Sequence, residues 1–256
     1  MTTPLDPGLG LSQPEPEASP SVQRRRPRRV LFVALIALGV VLIAAGGAAL
    51  GRELTRKATP AEEAAAMQQE IASRWERLPA GRIFPATVSY SDFAGNKMLA
   101  RLVGISPPVS CRAALEPAGY AIVRGLGCAT ILRATYVDAS GALVTTVGVA
   151  VLRSPDAAFK AANIDVMKGP GDALRAVTFG GTIAGQFGDA ARGAQGAAAG
   201  GPYLFLYTAG FTDGLPATAA APQQEELSAF GRGVDIGLQS VLTGHGKPCD
   251  MKDIKC

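Results

Sequence analysis

One long apolar run dominates the pattern of hydrophobic and polar positions along the chain. Residues 30–50 (VLFVALIALGVVLIAAGGAAL) contain no charged or strongly polar side chain. About twenty apolar residues, at a helical rise of about 1.5 Å each, cross the ~30 Å hydrocarbon core of a bilayer. The run therefore predicts one transmembrane helix, Val30–Leu50.

Basic residues on one side of this run predict its orientation. Five arginines precede it, namely Arg24, Arg25, Arg26, Arg28 and Arg29. Positive charge beside a membrane helix is retained on the cytoplasmic side, so we expect a cytoplasmic N-terminus and an extracytoplasmic C-terminal part. The arginines would also contact anionic lipid head groups of the bilayer. Residues 1–29 are rich in proline and poor in apolar residues, which predicts a disordered tail.

The end of the apolar run leaves two further questions open. Its last residues, AAGGAALG, contain small-x-small triplets of the kind that a signal peptidase cleaves. The length of the run favours a retained anchor, and a secreted protein with a mature N-terminus near residues 48–51 is the alternative. Gly47-x-x-x-Gly51 would let two membrane helices approach closely, so a homodimer through this helix also stays open.

Helical periodicity predicts three amphipathic helices beyond the membrane segment. The first begins at Thr59-Pro60-Ala61-Glu62, which supplies a capping residue, a proline at the first helical position and a capping-box glutamate, and continues to about Leu78. Ser154-Pro155-Asp156 begins the second by the same logic. The third is expected over 223–242, where Gly231, Gly233 and Gly237 would let it lie close to a sheet.

Runs of β-branched and aromatic residues predict the strands. Cys128–Val137 and Ala142–Leu152 flank Asp138-Ala139-Ser140-Gly141, which suits a hairpin turn with Gly141 in the left-handed region. Both faces of the second strand are apolar, so we expect it to lie inside a sheet that is covered on both sides, or covered on one side and paired with a partner on the other. Further strands are expected at 83–90, 98–105, 175–183 and 202–212, with a short helical turn at 111–116.

This order of elements predicts an α+β fold with a mainly antiparallel sheet and about three helices. The expected divisions are a tail (1–29), the membrane helix (30–50), a juxtamembrane helix and linker (51–79), one extracytoplasmic domain (80–243) and a cysteine-containing tail (244–256). Residues 185–201 (GQFGDAARGAQGAAAGG) lack a lysine and the spacing of phosphate-binding glycine loops. They predict a mobile loop.

Charge and cysteine content narrow the class of protein. The chain has 25 Lys and Arg against 21 Asp and Glu. Five of those basic and three of those acidic residues precede the apolar run, so the part beyond it is nearly neutral and we expect no nucleic-acid partner. The four cysteines are Cys111, Cys128, Cys249 and Cys256. An even number suggests disulfides in an oxidising compartment, and we expect local pairing, Cys111 with Cys128 and Cys249 with Cys256.

Candidate catalytic groups are few. The single histidine, His245, lies in the tail, and its spacing from Cys249, Cys256, Asp250 and Asp253 matches no standard zinc site. Paired carboxylates would need no histidine. The candidates are Glu116, Asp138, Asp165, Asp172 and Asp213, all in or beside predicted turns, where acidic residues are common.

We therefore expect a single-pass, membrane-anchored envelope protein whose outer domain binds another protein or a ligand, without catalysis, metal or cofactor. The alternative is a membrane-tethered hydrolase of the cell envelope that uses two carboxylates. No motif in the sequence identifies a family.

Overall fold

A computed structural model describes residues 26–164, 172–217 and 221–244. Its contacts divide the chain into two units, Met1–Lys57 and Ala58–Cys256. The first unit contains helix α1, Arg26–Thr55. Among the described residues, this is the one helix that is long and apolar enough to cross a membrane. The predicted membrane segment is therefore helical, and the helix extends beyond it at both ends.

The second unit combines a sheet with several helices. Its elements in chain order are α2 (Pro60–Arg77), α3 (Ala80–Ile83), β1 (Thr87–Ser91), β2 (Lys97–Val109), α4 (Cys111–Ala114), α5 (Pro117–Gly125), β3 (Thr130–Val137), β4 (Leu143–Val151), α6 (Pro155–Asn163), β5 (Arg192–Gly200), β6 (Tyr203–Phe211) and α7 (Ala221–Thr243). The predicted cap of α2 is present, because the Thr59 side chain accepts from the Glu62 backbone N–H and the Glu62 carboxylate accepts from the Thr59 backbone N–H.

The six strands form one antiparallel half-barrel sheet in the order β1-β2-β3-β4-β6-β5. The predicted β3–β4 hairpin is confirmed, with Gly141 in the turn at φ 78°. Strand β4 pairs with β3 on one side and with β6 on the other, and all nine of its residues are buried. The α+β class with an antiparallel sheet is therefore as expected, and β1 and β5 are the two edge strands.

Helices α2 and α7 cover the first face of the sheet. The aromatic side chains of Tyr203, Phe205 and Tyr207 on β6 lie in this core together with the apolar positions of both helices. Arg74 of α2 joins the two helices, since its guanidinium donates to the Leu242 carbonyl at 2.9 Å, at the C-terminal end of α7. These aromatic side chains of β6 thus pack under helices.

Helices α4, α5 and α6 cover the second face. Their buried apolar residues form a separate core with alternate residues of β3, β4 and β6, such as Ile131, Ala150 and Leu204. A disulfide between Cys111 and Cys128 joins the start of α4 to the residues that follow α5. Local pairing of these two cysteines is the expected arrangement, and Cys249 and Cys256 lie outside the described residues.

The predicted loop at 185–201 is wrong over its second half, where β5 forms. This strand is built almost entirely from Gly and Ala, which have low β-propensity, yet it pairs with β6 along its whole length. Small residues are required there because neighbours approach closely: the Tyr207 ring lies over Gly196, where a β-carbon would be only 2.5 Å from it. Tertiary contacts therefore override the local preference of the sequence.

The predicted strand at 175–183 does not form. In place of a ladder, its backbone groups bond to side chains and to a neighbouring helix. Arg175 N donates to the Ala114 carbonyl at 2.8 Å, and Val177 N donates to the Thr146 hydroxyl at 3.0 Å. This irregular segment lies over the second face of the sheet, where Leu174 packs against Gly148. Gly148 is in regular register with Arg133, so the ladder continues without a bulge at this contact position.

Two strand boundaries also differ from the prediction. Residues 80–83 form the short helix α3, so β1 begins later than expected, at Thr87. Strand β2 continues through Pro107 and Pro108, beyond its expected end at residue 105. The prolines are tolerated because the β2–β3 register shifts between Ser106 and Val109, and β1 pairs only with the first part of β2.

Helix α7 carries one acidic residue into the protein interior. Asp235 is 2% exposed, one of its carboxylate oxygens accepts from Gln239 at 3.3 Å, and the other has no described hydrogen-bond partner. Burial raises the pKa of this carboxyl to about 7, and the Gln239 hydrogen bond opposes that shift. Asp235 also raises the pKa of Tyr207 on β6, after the larger effect of that tyrosine's burial.

We predict that Asp235 makes the stability of the protein depend on pH between about 4 and 7. In this window the folded protein keeps a proton that the unfolded chain has released, so the free energy of unfolding falls as pH rises, by up to about 1.4 kcal/mol per pH unit. Asp235→Asn should therefore be more stable than the native protein at pH 8 and about equal to it at pH 4.

Denaturant titrations of the native and Asp235→Asn proteins across this pH range give the difference directly, because other titrating groups are common to both. Glu225→Gln is a matched control, since Glu225 is an exposed carboxylate on the same helix. A difference between the native protein and Asp235→Asn that stays constant with pH would contradict the prediction.

Candidate functional site

A groove lies between the edge strand β1 and helix α7. Its volume is about 580 Å³. The strand side comprises Ser89, Tyr90, Ser91 and the nearby Lys97, and the helix side comprises Ala229, Arg232, Gly233, Ile236, Gly237 and Ser240. One wall is thus the open edge of a sheet, and the other is the outer flank of a long helix.

The backbone of β1 leaves hydrogen-bonding groups free along this edge. Ala86 accepts from Leu102 N at 2.9 Å, and Asp92 N donates to the Asn96 carbonyl at 3.0 Å. Because bonded pairs alternate in an antiparallel ladder, Val88 and Tyr90 between them also face β2. The N–H and C=O groups of alternate residues, Thr87, Ser89 and Ser91, therefore point away from the sheet.

Glycines place α7 close enough to β1 to form the groove. A β-carbon at Gly233 would lie 2.6 Å from the Tyr90 β-carbon, and one at Gly237 would overlap the Val88 side chain. This confirms the expected role of these glycines in close approach. Outside this contact, small residues leave space beside the strand, and the Ile236 side chain is 53% exposed at the rim.

The groove carries positive charge. Lys97 and Arg232 line it, neither forms an ion pair with another described residue, and no carboxylate of the described residues lines it. Tyr90 forms an edge-to-face contact with Phe230 at 5.0 Å, which holds its ring beneath the helix. Burial, followed by the charges of Asp138, Asp92 and Glu226, raises the pKa of Tyr90 to about 12, so its hydroxyl stays a neutral hydrogen-bond donor.

The carboxylates proposed from the sequence have local structural partners. Glu116 accepts from Arg175 and from Arg192, each at 3.0 Å, and so ties α5 to two later segments. Asp138 shapes the β3–β4 turn, where it accepts from the Leu143 backbone N–H at 2.8 Å and from the Ser140 backbone and hydroxyl.

The remaining candidates are dispersed. Asp213 accepts from Leu215 N within its own turn, and Asp172 is half-buried beside Gly119. Other proposed residues lie outside the described parts of the chain, namely Asp165, His245, Cys249, Asp250, Asp253 and Cys256. Within the described residues, no group of three or more His, Cys, Asp or Glu side chains is arranged to hold a metal ion.

The sequence contains only an indirect signal for the groove. The spacing of Gly233 and Gly237 predicted a close helix–sheet contact, but the position of β1 at an edge depends on the strand order, which no local pattern encodes. Known proteins supply no further guide, since no family model, no curated protein and no solved structure matches this chain.

Proposed function

We propose that this chain is a single-pass membrane protein whose extracytoplasmic domain binds an extended, acidic segment of a partner protein in the β1–α7 groove. The observation that carries the proposal is the outward-facing backbone of β1 beside a groove lined by Lys97 and Arg232, neither of which forms an ion pair with another described residue. Catalysis is not part of this function. The hydrolase alternative stays a prediction, and no specific observation favours it.

Two features support an extracytoplasmic location of the domain, namely helix α1 and the disulfide. Arginines precede the apolar helix, which favours a cytoplasmic N-terminus. The Cys111–Cys128 disulfide is typical of a protein that folds in an oxidising compartment outside the cytoplasm. Both features support the same orientation independently, with residues 58–256 outside. A dimer through Gly47 and Gly51 stays a prediction.

Strand addition is the mode of binding that the groove favours. An extended peptide beside β1 would pair its backbone with the outward groups of Thr87, Ser89 and Ser91, and such pairing supplies affinity that is independent of sequence. A strand of five residues spans about 17 Å, so four or five residues of the partner would be bound.

The side chains of the groove would then select the partner. Alternate residues of an added strand would face the flank of α7, where glycine and alanine leave room and Ile236 offers an apolar contact. Lys97 and Arg232 favour acidic residues in the bound segment, because opposite charges across an interface steer association and oppose wrong partners. The proposed ligand is thus an extended segment that combines acidic with small or apolar residues.

The proposed topology predicts the location of reporter fusions. Alkaline phosphatase, which is active only after export, should be active when fused after Cys256 and inactive when fused before Met1. An epitope tag at the N-terminus should remain on the same polypeptide as the domain in the membrane fraction. The reverse pattern of phosphatase activity would contradict the orientation, and release of a domain that begins near residues 48–51 would contradict the retained anchor.

Strand addition predicts that a single proline will prevent binding. Ser89→Pro removes an outward N–H of β1 and leaves the bonds of Val88 and Tyr90 to β2 in place, since proline is tolerated on an edge strand. Random peptides displayed on phage and selected on the full-length protein in nanodiscs should be enriched in acidic residues. Fluorescence polarisation should show that Ser89→Pro weakens their binding at least about tenfold, the equivalent of one or two lost hydrogen bonds.

Ser89→Ala is the matched control, because it removes the same hydroxyl but keeps the backbone donor, and it should bind like the native protein. The double variant Lys97→Glu with Arg232→Glu should bind acidic peptides more weakly than the native protein does. This difference in affinity should be smaller at high salt. Selected peptides without acidic enrichment, or binding that Ser89→Pro leaves unchanged, would contradict the proposal.

A further inference from the structure

A second recess lies on the opposite side of the sheet, over its second face, and is lined by arginines. Its volume is about 440 Å³, and it is bounded by Arg112, Leu115, Pro117, Tyr120, Arg124 and Arg175. Arg112 lies on α4, and Pro117, Tyr120 and Arg124 lie on α5. Arg175 lies in the irregular segment that follows α6. Among the residues that the structure describes, no carboxylate lines the recess, which we call the arginine pocket.

Two of its arginines make no polar contact with another described residue. The side chains of Arg112 and Arg124 are exposed, and neither forms a hydrogen bond or an ion pair with another described residue. Arg175 is fixed in place, because its guanidinium donates to the Leu115 carbonyl at 3.1 Å and to the Glu116 carboxylate at 3.0 Å. The pocket thus combines one immobilised cation with two that are available for a ligand.

The positive charge beside the pocket exceeds the negative charge of the described residues around it. Glu116 and Asp189 each pair with both Arg175 and Arg192, Glu116 at 3.0 Å and Asp189 at 3.6 Å, so two carboxylates serve these two guanidinium groups. Arg133, 9% exposed, donates to the Arg175 carbonyl at 3.3 Å, and its Nε has no described partner. Burial lowers the pKa of Arg133, but an arginine keeps its proton in proteins, so this side chain adds a further positive charge behind the wall.

The frame that holds these arginines is rigid. The Cys111–Cys128 disulfide lies directly before Arg112 and shortly after α5, so it fixes the separation of α4 from the end of α5. Tyr120 and Arg124 are four residues apart and therefore share one face of α5. Gly119 lets this helix contact the backbone of Asp172 directly, which brings Arg175 within reach of the same recess.

We propose that the arginine pocket binds a phosphate group. A carboxylate presents two oxygens in one plane and is satisfied by one guanidinium, whereas a phosphate presents oxygens in several directions and suits arginines that converge from separate elements. Arg112, Arg124 and Arg175 come from three different segments. Tyr120, Leu115 and Pro117 provide a partly apolar wall for the remainder of the molecule that carries the phosphate.

A phosphate of this kind has two sources, a soluble phosphate ester or the head group of an anionic phospholipid. Both supply the same contacts to the arginines, and the domain follows a membrane helix, so each is available to it. The proposed ligand is the phosphate group that both sources share, and the two arms of the experiment distinguish the sources. The phosphate site depends on none of the residues that line the β1–α7 groove.

The test uses modification of arginine side chains by phenylglyoxal, followed by mass spectrometry of the full-length protein in nanodiscs. Discs of phosphatidylcholine are treated with sn-glycerol 3-phosphate in one arm, and discs that also contain phosphatidylglycerol are used in the other. We expect modification of Arg112 and Arg124 to slow at least about tenfold in one of the arms, which corresponds to about nine-tenths occupancy of the pocket. Arg82 is an internal control, because it is exposed and outside the pocket.

Each result decides the matter. Protection by glycerol phosphate in neutral discs supports the proposal with a soluble ester, and protection only in phosphatidylglycerol discs supports it with a lipid head group. No protection in either arm overturns the proposal. Equal protection of Arg82, or equal protection by acetate at the same ionic strength, also overturns it, because the effect would then be non-specific or not selective for phosphate.

Substitution provides an independent measurement. Arg112→Gln with Arg124→Gln should weaken binding of the protecting molecule at least about tenfold, while Arg82→Gln should leave it unchanged. Neither pocket arginine contributes a described structural contact, so the double variant is expected to fold. The loss of binding is measured by calorimetry with glycerol phosphate, or by the protection of Arg175 from phenylglyoxal in the lipid discs. Binding that persists in the double variant overturns the proposal.

Discussion

The burial of strand β4 on both faces is the constraint on which the rest of this domain depends. Each of its nine residues is buried, and apolar side chains point to both sides of the sheet. A strand of this kind is stable only when two layers cover it, because each exposed apolar face would cost about 25 cal/mol per Å². Helices α2 and α7 supply one layer, and α4, α5, α6 and the irregular segment after them supply the other.

This arrangement completes the centre of the sheet and leaves its two edges open. At the β5 edge, small residues allow α6, α7 and the Tyr207 ring to approach the strand closely. At the β1 edge, α7 approaches the strand through glycines and then leaves a charged groove beside it. The two edge strands therefore differ in their surroundings. Strand β5 is closely packed on its faces, whereas strand β1 lies beside a groove whose side chains can select a ligand. The arginine pocket belongs to the other layer and is built separately, by the disulfide-linked pair α4 and α5.

The sequence predicted those parts of the fold whose local pattern agrees with their environment. The capping box at Thr59, the β3–β4 hairpin and the apolar faces of β4 and α7 all have local signals that the structure bears out. Strand β5 was missed because its Gly and Ala residues are selected by close contacts and not by β-propensity. The expected strand at 175–183 failed for the converse reason, since its backbone groups find partners such as Ala114 and Thr146 outside any ladder. The groove and the pocket depend on strand order and on distant segments meeting, which no local pattern reveals.

Residue-resolved hydrogen exchange of the full-length protein, with and without a bound acidic peptide, tests the central claim most directly. In the free protein the amides of Ser89 and Ser91 point away from β2 and should exchange quickly, whereas those of Val88 and Tyr90 should already be protected. Strand addition predicts that the peptide slows exchange at Ser89 and Ser91. If the peptide binds while these two amides keep exchanging at their free rates, the β1 edge is not the binding site and the account is wrong.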